Sequence, residues 1–495
     1  MGMEKVLIAD LDFGKADGKK ESRKMNFESL FYDGDGYYQR LCEDDVYLVT
    51  GRKGTGKSLL TRYFKKVKEK TSFNYCEIIE TNKFMRKKLK TFNYEKIQNQ
   101  EMTTFWRYVF FTEFGRMINS KNKYLLYDMS TMEEKKFTTV AIKEEDVEEL
   151  NGKISAGLSA LNASISITEG KKVTKELTPE PYYEKIDTLA ELVIEYMNKT
   201  NTSFYLIFDD IDELENMCNS REEFINLAKS FLQALEELND ELYENDTQSK
   251  IISTFRTDIL DELNEKSNNL NRSMYDSTIK IDWYSSLVKN SPDQTPLIKM
   301  LLHKIRNSNI DILKNYDDSE LYTHFFPNDK DGVNNHAEYL LRHSFGRPRD
   351  IIIFLQTYQN LYGKEQVFDY SKFDLCKKSY SSWLFAEIKN EINISANREE
   401  INLGIEVVKQ NQKRKFKFKN FENKYNELKK SNNNILLSAE DVATELYTLG
   451  IVGNVSYRKN NNNRYWFSYR DGSSPKPDFN KDFIVHFGLQ NYLSL

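Results

Sequence analysis

The chain has 495 residues, of which 39% are hydrophobic and 30% charged, and a net charge of −5. That length suits two to four domains with buried cores, and the composition excludes a disordered chain. The small negative charge excludes global steering toward nucleic acid or anionic membrane, so any such contact must come from a local patch.

The four cysteines, Cys42, Cys76, Cys218 and Cys376, form no CxxC pair. That argues against a zinc site or a disulfide framework and fits a reducing cytoplasm. The longest apolar runs, such as FYLIF at 204–208 and IIIFL at 351–355, fall far below the ~20 residues needed to span a bilayer. The N-terminal stretch lacks the apolar segment of a signal peptide. A cytoplasmic protein that does not enter the membrane is expected.

In chain order, residues 1–40 are polar and turn-rich and read as a lead-in. The region 41–284 carries strand-like runs at 46–50, 75–80, 204–209, 251–255 and 279–283, with helical patterns at 58–70, 188–199 and 222–243 between them. Strands alternating with helices argue for an α/β fold around a parallel sheet. About 150 residues separate the first strand from FYLIFDD, too many for an ordinary connection, so an insertion near 85–180 is expected. Within it, 85–135 is aromatic and basic and reads as helical, and the loose alternation of 154–168 reads as a β-hairpin. Residues 285–365 turn helical, as a lid would, and 366–414 read as a helical connector. The last region, 415–495, holds a helix at 438–452 opened by Ser438 with Asp441 three residues on, close to a capping box. The runs VSYR (455–458) and RYWFSYR (464–470) follow, joined by an Asn-rich turn. Helix then hairpin is the order of a winged helix.

The chemistry begins at VYLVTGRKGTGKSLLTRYF, residues 46–64. Residues 51–58 fit G-x-x-x-x-G-K-[ST] in full, with a strand before and a helix after. Glycines let several backbone N–H groups turn inward as an anion nest, and the following helix aims its positive end at the same place. Gly51, Gly54, Thr55, Gly56, Lys57, Ser58 and Leu59 are therefore the candidate nucleotide-binding residues. Lys57 would reach the β- and γ-phosphates and Ser58 would hold Mg²⁺. Arg52 and Lys53 occupy unspecified positions and read as solvent-facing.

The strand SFYLIFDDIDELE (203–215) ends in acids. At the C-terminal edge of a parallel sheet, Asp209 is placed to organise Mg²⁺ through water, and Asp210 to polarise the attacking water. Asp is a shorter arm than Glu, so turnover is expected to be slow. The competing reading makes Asp210 or Asp212 a cap of the next helix. Charge neutralisation near a γ-phosphate needs arginines. Arg256 in IISTFRTDIL and Arg349 in HSFGRPRDIIIFLQ are candidates for catalysis, and Arg272 could serve a neighbouring subunit. Each also reads as an ordinary surface arginine.

Together, the loop GRKGTGKS, the strand end FDDID, the strand STFRTDI and the helix start GRPRD, with a winged helix beyond, resemble the AAA+ and STAND ATPases. The likeness is closest to the branch of origin-recognition and replication-initiator proteins. GRPRDII and FIVHFGLQNYL (483–493) also resemble a bacterial P-loop ATPase family of unassigned role, some of whose members sit near antiviral defence genes. The resemblance implies a five-stranded sheet in the order 5-1-4-3-2, a helical lid and a C-terminal winged helix. It also implies sensor roles for Arg256 and Arg349, an arginine finger at Arg272, ATP and Mg²⁺ as cofactors, and slow hydrolysis coupled to a C-terminal interaction domain, within an antiviral defence assembly. ATP and ADP, an effector protein from a neighbouring gene, DNA and further copies of the chain are the partners it suggests. The insertion is longer than in a compact AAA+ core, and no repeat array follows the lid.

The segment KQNQKRKFKFKNF (409–421) combines Lys413, Arg414, Lys415 and Lys417 with three phenylalanines. Interleaved bases and aromatics can bind nucleic acid. The competing reading packs the phenylalanines into a core and leaves the lysines solvated. Three functions are thus open: an ATPase switch, an ATP-gated DNA-binding protein of initiator type, and a nucleotide-holding scaffold without turnover.

Overall fold

The structure is a computed structural model that describes residues 3–80, 99–132, 148–159, 180–265, 274–283, 291–327, 335–393, 395, 397–430, 435–457, 463–471 and 476–495. Two compact units divide it: Asp35–Ile281, and Met1–Gly34 with Asp282–Leu495.

The first unit is built on five parallel strands, β1 (Leu48–Gly51), β2 (Asn74–Glu80), β3 (Ser203–Asp209), β4 (Lys250–Arg256) and β5 (Thr278–Lys280). Their order is 5-1-4-3-2, as expected. All seven residues of β3 are buried, because helices cover both faces of a parallel sheet. Helix α1 (Lys57–Lys68) follows β1, α2 (Asn99–Met132) and α3 (Glu180–Thr200) belong to the insertion, and α4 (Arg221–Glu244) leads to β4.

The insertion shares the core of the sheet rather than hanging from it. On α2, Phe105, Trp106, Val109, Phe110 and Phe114 are buried at helical spacing. Phe110 meets Phe208 of β3 at 5.0 Å and Trp106 meets Phe231 of α4 at 4.9 Å, while the indole N–H of Trp106 donates to Ser230 Oγ at 3.1 Å. The chain entering β1 is pinned by a buried lysine. Lys250 Nζ donates to the carbonyls of Leu41, Glu43 and Val46 at 2.7, 2.8 and 2.9 Å, one acceptor for each of its three protons.

The expected hairpin at 154–168 is corrected over its described part, because residues 148–159 are helical. Leu150 and Ile154 stand one helical turn apart and are both buried, and Ile154 and Leu158 lie beside Gly115 of α2. The helical period wins over the alternation of small residues. Residues 160–168 lie outside the described residues.

The second unit is mostly helical, with α5 (Pro296–Arg306), α6 (His336–His343), α7 (Pro348–Tyr362) and α8 (Tyr370–Ile392). Beyond them lie α9 (Arg398–Gln410), β6 (Lys415–Phe416), α10 (Phe418–Lys429), α11 (Ala439–Thr448), β7 (Val452–Ser456), β8 (Arg464–Trp466) and β9 (Asp482–Val485). The strands form an antiparallel sheet in the order β6-β9-β7-β8. Helix α11 then the β7–β8 pair gives the expected helix-then-hairpin order, and Ser438 and Asp441 complete a capping box. The second hairpin run is shorter than expected. Its strand ends at Trp466 and 468–471 is helical, where Ser468 Oγ donates to the Tyr447 carbonyl at 2.7 Å.

The N-terminal segment is part of this unit's core. Val6, Ile8, Leu11 and Phe13 are buried in one cluster with residues of α5, α7, α8, α9 and α11. Ile8 N–H donates to the Glu365 carbonyl at 2.7 Å, and Gln359 Nε2 donates to the carbonyls of Ile8 and Leu11 at 2.8 Å. Among the described residues no helix is long and apolar enough to cross a membrane.

Candidate nucleotide-binding site

The loop after β1 takes the conformation its glycines allow. Gly54 and Gly56 have φ of +86° and +103°, a region that costs any L side chain about 1–2 kcal/mol. Gly56 caps α1, so the first N–H groups of α1 open toward the loop. A Cβ on Gly51 would stand 2.5 Å from Thr55 Oγ1, a hydroxyl that donates to the Arg52 carbonyl at 2.8 Å. Lys57 is buried, and its Nζ donates to the Gly51 carbonyl at 3.0 Å and the Arg52 carbonyl at 3.4 Å. Burial holds its pKa below the usual lysine range, with Asp212 and Asp210 pulling it back up.

Ser58 Oγ donates to Asp209 Oδ1 at 2.9 Å. The hydroxyl and the carboxylate expected to organise Mg²⁺ are thus side by side. A third residue, Thr254, was not singled out from the sequence. Its hydroxyl donates to the same Asp209 oxygen at 3.0 Å and accepts from Asp210 N–H at 3.0 Å. The register Phe208–Ser253 between β3 and β4 carries Thr254 alongside Asp209. The signal for it was a hydroxyl residue two positions before the end of the strand KIISTFR, level with the acidic end of the preceding strand.

Asp210 sits at φ +57°, ψ +47°, a left-handed conformation that Asp tolerates better than most residues. Burial, then the neighbouring Asp209 and Asp212, push its pKa up to about 7. Asp212 is also raised by burial, against the pull of Lys57 and Arg256, and its Oδ1 is buried without a hydrogen-bond partner. Both carboxylates act electrostatically on Lys57 of the loop. Neither caps the following helix through its side chain: the short helix 211–217 has no side-chain cap, and α4 is capped by Ser220.

Arg256 closes β4 and pairs with Asp258 through two bonds, Nε–Oδ1 at 3.1 Å and Nη2–Oδ2 at 2.6 Å. Burial alone would raise Asp258; Arg256 reverses this and holds it below the usual carboxylate range. Arg256 is among the charges acting on Lys57 and Asp212, so it belongs to the same electrostatic neighbourhood. Arg349 lies on α7 in the other unit, where its Nε donates to the Ala16 carbonyl at 3.1 Å and its Nη1 bonds Glu387 Oε2 at 3.0 Å. Arg272 lies outside the described residues.

In the basic segment, Phe416 and Phe421 are buried and Phe418 packs on Phe479 at 4.6 Å, so the phenylalanines belong to the core. Lys413, Arg414 and Lys417 are exposed. Lys415 Nζ stands over the rings of Tyr457 and Tyr465 at 5.7 and 5.3 Å.

The parallel sheet, the glycine loop at the end of β1 and the acid at the end of β3 define a P-loop type of α/β core. The model of a "FunZ-associated C-terminal helical domain" matches residues 296–389, which run from α5 into α8. No curated protein sequence matches significantly. Among solved structures, the chain resembles the Orc1 protein of Aeropyrum pernix, determined in complex with DNA. The identity is 12%, the match covers 92% of this chain and 90% of that one, and the TM-score is 0.36. It also resembles Cdc6p of Pyrobaculum aerophilum at 12% identity, 88% and 91% coverage and a TM-score of 0.30. Likeness at that level carries no argument about function, which rests on the site.

Proposed function

We propose that the chain binds ATP with Mg²⁺ at the loop 51–58 and hydrolyses it slowly, as a switch read by the second unit. The observation that carries this reading is the shared oxygen of Asp209, which receives the hydroxyls of both Ser58 and Thr254. A carboxylate fixed in this way beside a phosphate-loop serine suits a hard cation with oxygen ligands. The left-handed Gly54 and Gly56 and the buried Lys57 fit a polyphosphate. Bound Mg²⁺ would neutralise charge on the β- and γ-phosphates.

In this reading Lys57 leaves the Gly51 and Arg52 carbonyls for the phosphates, Ser58 and Asp209 hold the metal, and Asp210 orients the attacking water. An acid with a pKa near 7 suits proton transfer at neutral pH. Arg256 adds positive charge at the end of β4. Arg349 is kept as the candidate nucleotide sensor of the second unit, and the C-terminal sheet and helices, a winged-helix domain in this reading, pass the change to a protein partner. Lys57→Ala should abolish ATP binding; an unchanged ATP affinity in that variant would sink the reading.

The second reading, an ATP-gated DNA-binding protein, draws on the exposed Lys413, Arg414 and Lys417 beside Lys415 and its two tyrosines. It expects duplex binding that weakens with salt and falls when the three exposed residues are neutralised. No binding to duplex DNA at low salt rules it out.

A further inference from the structure

Arg62 stands one helical turn beyond Ser58 on α1, so the two side chains share a face of that helix. Ser58 serves one oxygen of Asp209. Arg62 faces the other, with Nη2 3.8 Å from Asp209 Oδ2 and 3.9 Å from Glu80 Oε1. Glu80 and Asp209 are register partners at the ends of β2 and β3, so two carboxylates lie side by side with one guanidinium between them. The Arg62 side chain is 15% exposed and that of Asp209 5%, and Arg62 Nε is buried without a hydrogen-bond partner.

This is unlike the arginine pairs that only hold the fold together. In the second unit, Arg347 grips Asp350 with contacts of 2.8 to 3.1 Å, the fork-on-carboxylate geometry typical of such pairs. Arg62 stands back from both of its acids, with donors unused, beside the carboxylate that the proposed function assigns to Mg²⁺. At that separation its charge still acts on Asp209 within a buried site, while the Oδ1 side remains with Ser58 and Thr254.

We infer that Arg62 is a positioning residue for the metal-organising carboxylate: held between Glu80 and Asp209, it fixes the plane of Asp209 so that Oδ1 stays directed at Ser58. The inference rests on the proposed function, because it concerns the cation that the reading places at Ser58 and Asp209. Without the guanidinium, only the two hydroxyl bonds at Oδ1 hold Asp209 in its plane, and the cation meets a less firmly oriented ligand.

The test titrates Mg²⁺ against ATP affinity, measured by calorimetry on the full chain, for the wild type, Arg62→Ala, Arg62→Lys and Glu80→Gln. Affinity without Mg²⁺ is recorded in parallel, and thermal melting checks folding. The expected result for Arg62→Ala is a Mg²⁺ midpoint raised by about tenfold, with Mg²⁺-free ATP affinity within about twofold of wild type. Arg62→Lys keeps the charge and should recover part of the shift. Glu80→Gln should move the midpoint in the same direction by less. A folded Arg62→Ala protein with the wild-type Mg²⁺ midpoint overturns the inference alone. So does a midpoint that falls, which would make Arg62 a charge that opposes the metal. A wild type that binds no ATP overturns the proposed function, and this inference with it.

Discussion

Thr254 does two jobs with one hydroxyl: its proton goes to Asp209 and its lone pair to the Asp210 N–H. It is fully buried, so no water stands ready to replace it. Thr254→Val keeps the shape and removes both bonds. The variant should lose about 1–3 kcal/mol of stability, the range for leaving a buried polar group unpaired, which chemical denaturation would read. Turnover should fall more than ATP affinity, since the altered groups lie at the acids and not at the loop. At this scale the sequence was informative where a motif fixes spacing. Residues 51–58 and Asp209 were legible because strand, loop and helix must follow one another directly. Thr254 and Arg62 were not, because their roles depend on which strands become neighbours. The partner of Arg349 was not legible for the same reason: Ala16 and Glu387 lie far from it in sequence.

At the scale of elements, the strands of the sheet were legible from short apolar runs, and the helices from their 3.6-residue spacing. The hairpin expected at 154–168 shows, over its described residues 154–159, where this fails. In that part, burial of Leu150 and Ile154 on one helical face goes with a helix over 148–159. Helix α11 shows local chemistry read correctly. Ser438 accepts from Asp441 N–H at 3.1 Å, and Asp441 Oδ2 accepts from Ser438 N–H at 3.2 Å. Ser438→Ala should cost about 1 kcal/mol in urea unfolding, with no effect on nucleotide affinity. The basic segment divides the same way: its phenylalanines answer to the core, while the exposed Lys413, Arg414 and Lys417 are left for solvent or a partner.

At the scale of the whole molecule there are two units, each with its own hydrophobic core. The polar look of residues 1–40 hid a strap in which Val6, Ile8, Leu11 and Phe13 are buried in the core of the second unit. The strap is also held by a buried ion pair, Glu21 with Lys304. Glu21→Gln leaves the Lys304 charge without its partner in the interior and should destabilise this unit by about 3–5 kcal/mol, visible as an earlier unfolding transition.

The same unit should be sensitive to acid. His343 is buried, and burial lowers its pKa from 6.5 to about 4. His486, fully buried against Phe345, is lowered as well. Above pH 6.5 the folded and unfolded chains both carry neutral His343. Between pH 6.5 and about 4 only the unfolded chain takes up the proton, so stability falls as pH drops through that window. For His343 the loss amounts to roughly 3 kcal/mol. Denaturant midpoints at pH 7.5, 6 and 5 should decline in that order, and His343→Gln should flatten the decline.

The claim that joins these scales is that the loop and the acids form one ATP-hydrolysing site. The most direct measurement is ATP binding and phosphate release by Asp210→Asn beside the wild type, in Mg²⁺ at neutral pH. The account predicts slow but measurable release by the wild type, with binding kept and release lost in the variant. Equal release by the two proteins, or no ATP binding by either, would contradict it.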